Sequence, residues 1–171
     1  SGLFGSTETV QPTAPVTLST QGATPGQSHK DLAARKPEWT TAILPTIKTY
    51  LSTLSTAKDI NKIYPGYDSL SEQNKALVWV ELFKAMCKFE SSFNPKSASV
   101  DVGEKDKKDT WSVGLLQLSV VDQSNLGIKL GYKYDDLLTP TPNLILGVRI
   151  MANQVAKRGL VMIDKDNKGN P

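Results

Sequence analysis

The sequence predicts a mainly α (α+β) fold, a helical bundle around one central buried helix with a small β-hairpin or sheet. Three observations carry this. Apolar residues recur at spacings of three and four over Trp39–Leu54, residues 76–89 are apolar at nearly every position, and Leu144, Val148, Met151, Ala152 and Val155 mark a third helical stripe. Only Trp111–Leu118 reads as a short extended piece. With 171 residues, 39% hydrophobic and 22% charged, the chain makes an ordinary globular domain whose core needs neither disulfides nor metal.

In chain order, residues 1–30 are rich in Ser, Thr, Gly, Pro and Gln and read as a flexible N-terminal tail or linker, with His29 a surface histidine at its end. The domain is expected over residues 31–171, from Asp31 onward. From Pro37, the positions Trp39, Ile43, Leu44, Ile47, Tyr50, Leu51 and Leu54 share a helical face, and Pro45 predicts a break or kink within it. Pro65-Gly66 predicts a turn. Ser69-Leu70-Ser71-Glu72 fits a capping box with Ser69 as cap, opening the central helix. On that helix Asn74, Glu81, Lys84 and Lys88 form one narrow polar stripe, so the remaining faces are expected to be buried.

A charged loop spans Asp101–Asp109. Ser119 is expected to cap a brief helix ending near Gly127, and Tyr132 and Tyr134 fall in a polar connection. Thr141 as cap and Pro142 at the first helical position open the last helix, which ends at Arg158 before Gly159. Leu160–Pro171 reads as half of a hairpin.

Composition narrows the chemistry. One cysteine, Cys87, leaves no internal disulfide, and with a single histidine the composition argues against a His/Cys zinc site and against a Cys-His or Ser-His nucleophile pair. Cys87 reads as a small core hydrophobe. No apolar run approaches the roughly 18 residues of a membrane helix. The net charge of +3 comes from scattered lysines interleaved with acids, and no basic stripe with interleaved aromatics points to nucleic acid. Asp164-Lys165-Asp166-Asn167-Lys168-Gly169 looks like the start of a calcium loop, but Lys168 occupies a ligand position and the segment reads as a polar turn. Carboxylates, hydroxyls, amides and lysines remain.

Among the carboxylates Glu90 stands apart. Helical counting puts it on the face of Phe83, Met86 and Cys87, where the pattern calls for another hydrophobe. Desolvation there and the negative end of the helix dipole would both raise its pKa, as a general acid requires. Periodicity alone leaves a second reading open, an exposed glutamate at a fraying helix end followed by Ser91 and Ser92.

The flanking residues bear on that choice. Glu90-Ser91-Ser92-Phe93-Asn94-Pro95 resembles the Glu-Ser-x-Phe-x-Pro signature of the lysozyme-like lytic transglycosylases, the SLT domains of the goose-type lysozyme superfamily. Gly114-Leu115-Leu116-Gln117-Leu118 resembles their second motif, and Pro140-Thr141-Pro142-Asn143-Leu144-Ile145-Leu146-Gly147 their third. The resemblance implies a lysozyme-like fold and Glu90 as the catalytic acid beside a sugar groove. It implies that Ser112, Gly114 and Gln117 line that groove and that Asn143 anchors the helix closing it. An ordinary strand hydroxyl at Ser112 and a purely structural Asn143 are the alternatives.

Two departures accompany it. Thr139 replaces the family's Asp before Pro140, and the later Ala-Tyr-Asn-Ala-Gly motif has no match before Pro171. Either the motif lies beyond residue 171, or Tyr132 or Tyr134 fills its place.

The implied reaction is cleavage of the β-1,4 bond between N-acetylmuramic acid and N-acetylglucosamine in peptidoglycan. A lytic transglycosylase needs only the acid, because the substrate's N-acetyl group and 6-hydroxyl act as nucleophiles. A lysozyme would add a second carboxylate to activate water, for which Asp101 and Asp109 are the candidates. The four acids of the loop also suggest a hydrolase preferring de-N-acetylated glycan, although three lysines nearly cancel them. A non-catalytic cell-wall-binding domain is the competing class, against which the intact Glu90 and Gln117 argue. The expectation is a secreted or periplasmic monomer acting on the peptidoglycan glycan strand, without metal or organic cofactor. The start at Ser1 rather than Met is in keeping with a processed end, left by a removed signal peptide or by a cleaved tag.

Overall fold

A computed structural model describes residues 36–163. The expected N-terminal tail, His29 and the calcium-like turn at Asp164–Gly169 lie outside the described residues, as does most of the expected hairpin half. Helix α1 (Pro37–Leu54) is followed by the single turn α2 (Ile60–Ile63), a 3-10 turn at Tyr67–Ser69, and the long helix α3 (Glu72–Ser91). Strands β1 (Ala98–Ser99) and β2 (Ser112–Val113) flank the charged loop, in which Lys108–Thr110 forms a 3-10 turn. Short helices α4 (Val121–Asn125) and α5 (Tyr134–Leu137) lead into α6 (Pro140–Arg158). The mostly helical body with one small antiparallel sheet is the lysozyme-like α+β architecture that the sequence predicts.

Helix α1 packs most extensively on α6 and also on α3. Its buried face is Trp39, Ile43, Ile47, Leu51 and Leu54, four of them three or four residues apart from the next as a helical stripe requires. Pro45 does not break it. The carbonyl deprived of a partner belongs to Thr41, and both residues are exposed, so water can take the bond that proline removes. At Tyr67 the fold gathers three segments: its buried hydroxyl lies 2.7 Å from the Ser55 hydroxyl and accepts the Trp79 indole N–H at 2.8 Å.

Burial of Tyr67 also moves the start of α3. Ser69 is used up in the 3-10 turn that carries Tyr67 inward, and the cap is Ser71, whose hydroxyl accepts the Asn74 N–H at 3.2 Å. A similar two-residue shift applies at α6, where Thr139 and Pro140 take the positions expected for Thr141 and Pro142. Proline is tolerated at both sites because first-turn N–H groups have no intrahelical partner. Ser119 does not cap α4; instead the Asp122 carboxylate accepts the Ser119 N–H at 2.9 Å.

The polar stripe expected on α3 is half covered. Lys88 is exposed, but Glu81 and Lys84 are buried, with the start of α1 close enough for Glu38 and Lys36 to act on Lys84. Burial lowers the Lys84 pKa, and the opposite charges of Glu81 and Glu38 work against that shift. Periodicity identified the polar positions, but the packing of α1 buries them. No helix among the described residues is long and apolar enough to cross a membrane.

The segment after α6 is latched to the connection between α1 and α2. The Asp59 carboxylate accepts the N–H groups of Val161 and Met162 at 2.8 and 2.9 Å, and the Lys58 N–H donates to the Gly159 carbonyl at 2.8 Å. Hydrogen bonds to a charged acceptor contribute about 1.5–3 kcal/mol. Asp59→Ala is therefore expected to lower stability in chemical denaturation by about that amount. Hydrogen exchange should show protection lost first at Val161 and Met162; unchanged protection there would refute the latch.

Candidate active site

Glu90 occupies the last turn of α3, one helical turn beyond the buried Met86 and Cys87. The carboxyl is half-buried, and loss of solvent raises its pKa from the ordinary 4.5 to about 7. Among the described residues desolvation is the cause, and no neighbouring carboxylate contributes. Burial also pushes the Cys87 thiol far up, with the Glu90 charge adding to the rise, so Cys87 is no nucleophile.

The helix stops abruptly after Glu90. Ser92 and Phe93 adopt left-handed backbone angles, φ 51° and 65°, at a cost of about 1–3 kcal/mol each for non-glycine residues. Hydrogen bonds hold the turn: the Ser91 hydroxyl and the Phe93 N–H both donate to the Cys87 carbonyl, at 3.0 and 3.3 Å. The Phe93 ring lies 5.6 Å from that of Trp39, and the Lys36 ammonium sits over both. The Glu-Ser-x-Phe spacing thus has a local reason. Ser91 ties the last turn back to Cys87, Phe93 anchors, and Glu90 is kept at the edge of the core.

From there the chain reaches β1 and is joined to the second motif. The Ser97 carbonyl accepts the Gly114 N–H at 2.8 Å and the Gln117 side-chain amide at 3.2 Å. Register pairs Ala98 with Val113 and Ser99 with Ser112. The expected extended run does not continue to Leu118 as a strand. Gly114 and Gln117 take positive φ, 78° and 53°, and fold the chain so that Val113 and Leu118 exchange hydrogen bonds at 2.9 and 3.0 Å. Gln117 is buried, its amide donating also to the Gly114 carbonyl at 3.0 Å and its oxygen accepting the Ser99 hydroxyl at 2.8 Å.

Asn143 closes this turn from the other side. Fully buried, it donates to the Val113 and Leu137 carbonyls at 2.8 and 3.0 Å and accepts the Leu116 N–H at 2.9 Å. Gly114 is required by the same contact, since a Cβ there would collide with the Asn143 side chain and the Leu137 carbonyl. Ser112, Gly114, Gln117 and Asn143 therefore form one hydrogen-bonded unit, with Ser112 half-buried at its rim.

The tyrosines lie to the side. Tyr134 meets the Trp111 ring edge-on at 5.8 Å, beside Ser112. Tyr132 is held through its backbone by both ends of the Gln123 amide, and burial, then Asp136, raises its pKa. Among the described residues no tyrosine hydroxyl bonds Glu90. Asp101 and Asp109 are exposed on the charged loop. Sequence reasoning overlooked Ser97, Ser99, Lys108 and Trp111; only Trp111, an aromatic adjoining a motif, carried a usable signal.

The transglycosylase SLT domain family matches over residues 69–162. Among solved structures, the wild-type form of Bd0314 DslA is 25% identical, with a TM-score of 0.62 over 77% of this chain and 74% of that chain. A variant of that protein with one glutamate changed to glutamine gives 25% and a TM-score of 0.64 over the same shares. No curated protein matches the chain.

Asn143→Ala would orphan one buried N–H and deprive two carbonyls of a donor. At about 1–3 kcal/mol per unsatisfied group, a loss of about 2–5 kcal/mol is expected in urea unfolding. A loss below about 1 kcal/mol would show that the turn does not depend on this side chain.

Proposed function

The chain belongs to the transglycosylase SLT domain family, whose members act on peptidoglycan, and we propose that it cleaves the β-1,4 bond between N-acetylmuramic acid and N-acetylglucosamine with Glu90 as acid and base. The observation that carries this reading is the half-buried Glu90 carboxyl, held near neutral pKa by desolvation. A group that titrates near 7 is protonated often enough to donate and basic enough to accept a proton at neutral pH.

In the first step Glu90 gives its proton to the glycosidic oxygen as the bond from the muramyl C1 to that oxygen breaks. The N-acetyl carbonyl oxygen of the same sugar bonds to C1, taking up the positive charge. In the second step the Glu90 carboxylate removes the proton of the 6-hydroxyl as that oxygen attacks C1 and the N-acetyl group departs. The product is a 1,6-anhydro end, and Glu90 is again protonated. A single-carboxylate route is favoured because no acid among the described residues contributes to the Glu90 shift and both Asp101 and Asp109 are exposed. In this scheme the turn carrying Ser112 and Gln117 borders the sugar groove, and Asn143 and Gly114 hold it in place. Action on peptidoglycan puts the working protein in the periplasm or outside the cell.

Muropeptide digestion followed by mass spectrometry tests the proposal. Wild type should release 1,6-anhydro products, and Glu90→Gln should lower the rate by about 10²–10⁴ with unchanged circular dichroism. Activity should fall as pH rises through about 7, where the acid form is lost. Undiminished cleavage by Glu90→Gln would overturn the assignment, and reducing ends would replace the transglycosylase step by hydrolysis.

A further inference from the structure

We propose that Lys108, Trp111 and Tyr134 form a glycan subsite that selects a carboxylate-bearing sugar, an inference that rests on the peptidoglycan reading. The Lys108 ammonium stands 5.4 Å from the Tyr134 ring centre and 5.9 Å from that of Trp111. The two rings meet at 81° and the Lys108 ammonium lies over both, so the aromatic pair holds the cation in a defined place. All of this adjoins Ser112 at the edge of the hydrogen-bonded turn.

The charged loop is fastened in a way that leaves this lysine presented. The Trp111 indole N–H donates to the Glu104 carbonyl at 2.9 Å, and the Thr110 hydroxyl lies 3.3 Å from the Glu104 carboxylate. Lys107 pairs with that carboxylate at 3.7 Å. Glu104 is thus engaged by its own loop, whereas Lys108 is exposed and forms no ion pair among the described residues. Of the loop's charges it is Lys108, not an acid, that meets the aromatic pair.

An exposed ammonium held in place over two aromatic rings offers a positioned charge to an anion on the glycan. In peptidoglycan the carboxylate has two sources: the lactyl ether of muramic acid when no peptide is attached, or the carboxyl groups of the stem peptide. A loop selecting a cationic, de-N-acetylated sugar would place a carboxylate where Lys108 stands.

Binding by calorimetry in the Glu90→Gln background separates this inference from the catalytic one. The ligands are a chitopentaose, a peptide-free N-acetylglucosamine–N-acetylmuramic acid tetramer, and the same tetramer bearing stem peptides. Lys108→Gln should weaken binding of the muramyl tetramers about fivefold, the effect of one solvent-exposed charge pair, leave chitopentaose unaffected, and be rescued by Lys108→Arg. Weakening of the peptide-free tetramer alone would identify the lactyl carboxylate, weakening of the peptide-bearing one alone the stem carboxyls, and weakening of both a cation that accepts either. Equal binding of all three glycans by wild type and Lys108→Gln would overturn the subsite even if wild type cleaves peptidoglycan. Charge-dependent binding without cleavage by wild type would retain the subsite and remove the enzymatic reading. Absence of binding to every ligand would overturn the subsite.

Discussion

The buried carboxamide of Asn143 is the constraint on which the arrangement around the candidate site depends. It reaches from the first turn of α6 into the bend that the positive φ angles at Gly114 and Gln117 create, where the Leu116 N–H takes its oxygen as acceptor. Its three hydrogen bonds fix where that bend sits against the helical body. From the bend, Ser97 carries the connection back toward the end of α3. A side chain on one helix and a carboxylate on another are thereby linked through backbone groups of a two-residue strand pair, whose few ladder bonds alone would be marginal.

A second constraint is the edge position of Glu90. Full exposure would return its pKa to the ordinary value, and full burial would remove it from any substrate. The left-handed turn at Ser92 and Phe93, anchored on Trp39, ends the helix so that neither happens. Such an arrangement is costly to the fold. Because the folded pKa lies above the unfolded one, the stability contributed by Glu90 is fully present below about 4.5 and is lost as pH rises through about 7. The fold tolerates a group at a working pH where it is partly ionised and incompletely solvated, which is the condition proton transfer needs.

Much of this was legible in the residues. The three long helices followed from apolar spacing, and Glu90 stood out as a carboxylate on an apolar face before any motif was considered. Misreadings had physical causes. Ser69 and Ser71, like Thr139 and Thr141, offer equivalent caps two residues apart, and burial of Tyr67, a tertiary effect, decides the first. Glu81 and Lys84 look like a solvent stripe until α1 covers them with Glu38 and Lys36 nearby. The Lys108–Tyr134 contact joins residues far apart in sequence and leaves no periodic trace. Gln117 was read as a groove residue, and its amide bonds show that it also builds the turn it stands on.

The account's central claim is that Glu90 is kept near neutrality by lost solvent, and a side-chain carboxyl titration by carbon-detected NMR tests it most directly. With Glu90→Gln used to assign the resonance, the account predicts a midpoint near 7 in the full chain. A midpoint near the ordinary 4.5 would contradict it and leave the proposed chemistry without its acid.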